Sequence, residues 1–228
     1  EDENISPLIW EYFVPVIVSE NEYEDLYYAV KGKRNQRYMD KLNDESIKIM
    51  DINGNIINLS IPPTEYVNIS KLIKKYAFNT RFISSELKNY SEDKDFYSTY
   101  YLASKYLDFS LYTSKDIRKD IINLVDIYLD EAQNINKSSD SEDKLVLEER
   151  CELLRIQEVL ILKQPKKALR KLKKMNAENI ENNNQSMISF LYYTAFKILG
   201  DEKNAALWES KVSSVNLKKA LLIINLNS

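Results

Sequence analysis

Only three of the 228 residues are glycine, and five are proline. A sheet built from hairpins needs left-handed turn positions every few residues, a demand that glycine meets most readily. So few glycines argue against an all-β fold. They also leave no glycine-rich loop able to cradle a phosphate. A chain this poor in turn residues is expected to run in helices. None of its apolar runs approaches the roughly eighteen residues that read as a membrane-crossing helix.

The chemistry open to the chain is limited. Histidine is absent, so neither a Ser-His nor a Cys-His nucleophile pair can be assembled, nor a zinc site that uses histidine. Cys151 is the single cysteine, which excludes an internal disulfide and a thiolate cluster. The expectation is a non-catalytic protein with no cofactor and no metal site. Apolar residues at 44% and charged residues at 29% suit a globular chain that buries a core. The abundance of Lys, Asn, Ile and Tyr is that of a very AT-rich genome, so it carries little functional weight.

Residues 1–92 read as an N-terminal helical region. Ser6-Pro7 can open a short helix, Pro15 interrupts it, and "SENEYEDLYYAVKG" forms a second helix closed by Gly32. Residues 46–61, "SIKIMDINGNIINLSI", place β-branched residues on both sides of Asn53-Gly54. That pair supplies both left-handed positions of a type I′ turn, which predicts a β-hairpin over 46–61 ended by Pro62-Pro63. "DINGN" is a poor calcium loop, because its Gly follows the Asp by three residues instead of five.

Residues 93–228 read as a helical repeat region, with the polar run 134–143 as a seam. Sliding the sequence on itself by 37 residues lays "LRIQEVLILKQPKKALRKLKKM" over "LYYTAFKILGDEKNAALWESKV". Identities fall at Leu154/Leu191, Ile161/Ile198, Leu162/Leu199, Lys166/Lys203, Ala168/Ala205 and Lys174/Lys211. Each unit, about 148–176 and 186–213, reads as a helix, a break, and a second helix with a small Ala at its buried start. A terminal helix over 216–226 follows. The expected fold is mainly α, built of antiparallel helix pairs with one N-terminal hairpin.

Phe196, the Gly200-Asp201 turn and Ala205 in "TAFKILGDEKNAAL" stand where the tetratricopeptide repeat has an aromatic, a Gly-Asp turn and an Ala, and the two units resemble that family. Tyr193 departs from its small-residue pattern, and neither unit ends in the usual proline. The resemblance implies stacked helix pairs whose first helices line a groove for another protein, either a helical partner or a second copy of the chain. The groove side would carry Arg150, Leu153, Gln157, Met187, Phe190, Thr194 and Lys197. In the terminal segment Leu217, Ala220, Leu221 and Ile224 form a capping stripe. That leaves Leu222, Ile223 and Leu226 as surplus apolar surface for a partner.

The stretch "ILKQPKKALRKLKK" offers an alternative contact. It holds seven positive charges and no negative one, in a chain of net charge −3. On a helical wheel Lys163, Lys166, Lys167, Arg170, Lys171, Lys173 and Lys174 gather opposite Ala168, Leu169 and Leu172. This is the pattern of a helix half buried in its own protein, with a wet outer face. The alternative is a grip on an anionic membrane surface or an acidic partner through Lys163, Lys167, Arg170 and Lys174. Nucleic acid is disfavoured, because no aromatic interleaves the lysines. Glu148, Glu149, Glu152 and Glu158 read as a solvated helix face.

The composition and helical units together are also similar to the N-terminal helical part of a LysM-ended envelope protein of Borrelia-type spirochaetes, although no LysM motif is present. That resemblance implies a periplasmic or membrane-associated protein of the cell envelope that supports envelope integrity by binding another protein. A cytoplasmic location is the alternative.

Overall fold

Residues 5–61, 68–175 and 184–228 are described by the structure, a computed structural model. Among them the N-terminal part carries α1 (Ile5–Tyr12), α2 (Glu20–Val30), α3 (Gln36–Asn43), α4 (Ile69–Tyr76) and α5 (Ser84–Glu92). A 3-10 turn at Thr80–Ile83 leads into α5. Local caps fix several starts. Ser19 and Glu22 form a reciprocal capping box at α2, and Asn35 and Asn68 cap α3 and α4. The Pro62-Pro63 stop lies outside the described residues.

The remainder forms helix pairs: α6 (Phe96–Ser110) with α7 (Lys115–Ser138), α8 (Lys144–Ile161) with α9 (Pro165–Lys174), and α10 (Gln185–Ile198) with α11 (Glu202–Glu209). A last helix, α12 (Ser214–Asn227), follows. The longest helix, α7, is the spine, with Ile121, Leu124, Val125, Tyr128, Leu129 and Ala132 all buried. The polar run 134–143 is a loop only from Ser139. The buried Asn136 still belongs to α7 and donates from Nδ2 to the Lys144 carbonyl at 2.8 Å. One apolar cluster extends from Ile49 and Ile57 through α6, α7, α8 and α10 to Ile223, crossing the 92/93 boundary.

The two units aligned by the 37-residue offset close their turns in the same way. In the second, Gly200 takes φ +71°, and Asp201 N–H donates to the Phe196 carbonyl at 3.0 Å. In the first, Lys163 takes φ +62°, and Gln164 N–H donates to the Val159 carbonyl at 3.0 Å. Both are the six-to-one bond of a left-handed helix stop. Lys163 is the only non-glycine residue with positive φ among the described residues, held there at a cost of about 1–2 kcal/mol. Ala168 and Ala205, the small residues after each turn, are both buried.

The β-hairpin expected over 46–61 is absent, and no strand occurs among the described residues. A single antiparallel bridge joins Met50 to Ile56. Of the Asn53-Gly54 pair only Gly54 adopts positive φ, +79°, so the turn is not type I′. Gly54 N–H instead closes on the Asp51 carbonyl at 3.0 Å, which suits a three-residue loop with one left-handed position. Two backbone bonds cross the loop, Asp51 N–H to the Asn55 carbonyl at 2.9 Å and Ile57 N–H to the Ile49 carbonyl at 2.7 Å. Beyond them side chains displace the ladder. Asn58 Oδ1 accepts from Ile49 N–H at 2.9 Å, and Asn58 Nδ2 donates to the Ile47 carbonyl at 2.9 Å. The Asp51 carboxylate accepts from the backbone of Asn53 and Asn55.

This loop is fastened to α7 at two points. Asp120, fully buried, accepts from Ser60 N–H at 3.0 Å, Ser60 Oγ at 2.6 Å and the Tyr76 hydroxyl at 2.6 Å. Two helical turns further on, Tyr128 meets the Asp51 carboxylate and accepts from Asn53 Nδ2 at 2.7 Å. Burial raises the Asp51 carboxyl above its ordinary value, against the pull of these hydrogen bonds. The α2–α3 region packs beside it as a satellite cluster of Tyr38, Met39, Leu42, Ile56 and Leu59 on Ile127 of α7.

Candidate functional site

The first helices of the pairs lie side by side. Arg150 near the start of α8 sits over the Tyr100 ring of α6, at 6.0 Å from its centroid. Asn184, at the entry to α10, donates to the Val146 carbonyl of α8 at 3.1 Å. So α8 lies between α6 and α10, and the face that these three first helices turn towards α12 is called the trough.

That trough is occupied by the chain itself. Asn216 in the first turn of α12 donates to Ser186 Oγ at 3.4 Å, at the start of α10. Asn227 at the far end donates to the Leu160 carbonyl at 3.0 Å, at the end of α8. Between them Lys219 reaches across to Asp108 on α6, nitrogen to oxygen 2.7 Å. So α12 crosses from the start of α10 to the end of α8 and touches all three first helices. Ala220 and Ile223 are buried beneath it, while Leu217, Ile224 and Leu226 are half-buried. Fully burying one side chain such as Ile223 contributes about 1.5–3 kcal/mol.

The expected groove residues divide accordingly. Leu153, Gln157, Phe190 and Thr194 are fully buried inside the chain's own packing, and so is Ile223, so none of these five is open to a partner. The physical reason is that α8 and α10 are packed on several sides, α8 by α7, α9 and α10, and α10 by α9, α11 and α12. Arg150 is half-buried between Tyr100 and Asn184, and Met187 packs at the edge of the core. Lys197 is taken up by Glu202 at 2.8 Å. On α12 the capping stripe is rotated from the expected one, with Ile223 inside and Leu221 52% exposed. Leu226 is half-buried, and of the surplus residues only Leu222 stays at the surface, at 36%.

Tyr97, Tyr101, Ser104 and Asp108 recur at helical spacing along one side of α6. Asp108 now identifies it as the side facing the trough. Tyr97 and Tyr101 remain exposed there, their rings stacked at 6.2 Å.

Helix α9 separates as its pattern predicts. Ala168 and Leu172 are buried, while Lys163, Lys166, Lys167, Arg170, Lys173 and Lys174 are exposed. Among the described residues only Lys171 of this helix has a carboxylate within reach, Glu152 at 4.0 Å.

The four glutamates of α8 do not share one environment. Glu148 is exposed, but Glu158 is buried against Asp126 of α7. Burial, then the Asp126 charge, push the Glu158 carboxyl up to about 9, opposed by Arg155. The raised value keeps Glu158 protonated at pH 7, beside Asp126. Arg155 closes the cluster on Asp126 at 2.8 Å and Asp130 at 2.6 Å. The adjoining cleft beneath Arg34 and Tyr38 measures about 90 Å³, well below the roughly 300–1,000 Å³ of small-molecule pockets. Cys151 is buried and its thiol is pushed up to about 12 by desolvation, which leaves it unreactive. Among the described residues no group of three potential metal-ligating side chains comes together, and no helix is long and apolar enough to cross a membrane.

The fold class is an all-helical stack of packed helix pairs. No family model matches the sequence, no curated protein is significantly similar to it, and no solved structure matches it.

Proposed function

We propose that the chain is a non-catalytic interaction scaffold that takes a helical segment of another protein in the trough along α6, α8 and α10. The observation that carries this reading is the pose of α12, a helix bound across those helices by apolar contacts and three polar tethers. Helix-in-groove recognition uses the same physics, an i, i+3, i+4, i+7 apolar stripe laid into an apolar channel. A cell-envelope site for this scaffold, supporting envelope integrity, is proposed on the compositional resemblance.

The test is a chain ending at Val212 titrated with a fluorescent peptide of residues 213–228. A folded truncated chain that binds the peptide saturably supports the trough as a helix receptor. A folded truncated chain that ignores it refutes the reading.

A second reading rests on α9 and Lys163 just before it, whose six exposed cations lack carboxylate partners among the described residues. In it this face adheres to an anionic membrane surface, nucleic acid being the lesser option. Sedimentation with vesicles containing phosphatidylserine tests it. Binding that falls steeply with salt and vanishes on charge reversal at Lys167, Arg170 and Lys174 supports it. No sedimentation at low salt refutes it.

A further inference from the structure

We propose, building on the trough reading, that α12 is a displaceable strap. It is the chain's own competitor for a partner-protein helix that repeats its apolar spacing and sets a basic side chain against Asp108. Three observations carry this.

First, α12 is held lightly. It buries fully only Ala220 and Ile223, against ten side chains in α8 and eight in α10. Its outer side leaves Val215 and Leu221 at 70% and 52% exposure. Second, α12 is joined to α11 by the short link 210–213 alone. Each of its three tethers is a single side-chain contact that a competitor can replace. Third, its departure leaves the Asp108 carboxylate, only 23% exposed, without its cation, so an incoming helix is selected for a basic residue at that point. Tyr97 and Tyr101 on the same side of α6 are not covered by α12, and they give a longer helix contacts that the strap lacks.

A second copy of this chain is a poorer occupant. Exchanging α12 between copies makes the contacts already present, and it must compete with a tethered helix at an effective concentration of roughly millimolar. A partner with its own sequence can exceed those contacts. The strap then lowers the partner's apparent affinity by the fraction of molecules in which the trough is free.

The experiment uses the full chain and the fluorescent 213–228 peptide as probe. The wild type is compared with Ile223→Asp, which places a charge at a buried strap position, and with Lys219→Glu, which sets two carboxylates face to face. Both variants are expected to bind the peptide at least about tenfold more tightly than the wild type, because the trough is freed. Equal affinity in all three chains overturns the strap while leaving the trough reading intact. Failure of the variants and of the truncated chain alike to bind overturns the trough reading itself. A wild type that light scattering shows as a dimer, becoming monomeric when 214–228 is removed, assigns the trough to a second copy and overturns the proposal.

Discussion

Replacing Glu158 with Gln should make the protein more stable at neutral pH, although it alters a buried residue. In the folded chain the Glu158 carboxyl holds its proton up to about pH 9, whereas an unfolded Glu releases it near 4.5. Its folded value is raised, so its contribution to stability is fully present below pH 4.5 and is lost as pH climbs towards 9. From pH 4.5 to pH 7, at about 1.36 kcal/mol per pH unit, the loss amounts to roughly 3 kcal/mol. Gln carries no proton to lose and keeps a donor towards Asp126. It should therefore recover about 1–3 kcal/mol at pH 7, and the pH dependence between 5 and 9 should flatten. Urea unfolding of both proteins at pH 5, 7 and 9 measures this. Parallel curves, or a variant less stable at pH 7 than at pH 5 by as much as the wild type, would refute the buried neutral acid.

Four further substitutions examine the frame. Lys163→Gly relieves the left-handed strain at the first turn and should raise stability by about 1 kcal/mol in thermal unfolding, while the same change at the exposed helical Lys167 should lower it. Ala205→Trp overpacks the start of α11 and should cost at least about 1–3 kcal/mol, read from the urea midpoint. A tolerated Trp would contradict the aligned packing of the two units. Asp120→Ala strands the Ser60 and Tyr76 donors and should destabilise by about 2–4 kcal/mol, with hydrogen exchange rising first in the loop 46–61.

What the sequence disclosed follows from how local each cause is. Helix periodicity and the 37-residue offset located α8 to α11, because burial of Leu154, Ala168, Leu191 and Ala205 depends on spacing along one helix. The hairpin was misread because Asn53-Gly54 is a strong local signal. What displaces the rest of the ladder is the Asn58 side chain, in a loop that Asp120 and Tyr128 fasten to α7. The left-handed Lys163 is invisible to residue preference, since the neighbouring helices impose its conformation. Helix α3 gave too short an apolar pattern to be noticed. The groove was half legible. Periodicity marks the apolar faces of α8, α10 and α12 but does not say which helix covers which face, so it cannot separate sealed residues such as Leu153 and Phe190 from open ones. Glu158 was misplaced for the same reason, since its burial depends on Asp126 in another helix.

The contact between Lys219 and Asp108 is where the central claim can be tested most directly, by a charge-swap cycle in the truncated chain. Binding of the 213–228 peptide is measured by fluorescence anisotropy for wild-type and Asp108→Lys receptors, each with wild-type and Lys219→Glu peptides. If a helix lies across α10 and α8 with this residue facing α6, each reversal alone weakens binding. The doubly reversed pair regains it, with a coupling of at least about 0.5 kcal/mol. Reversals whose effects simply add would contradict the account, because the helix would not then be lying in the trough.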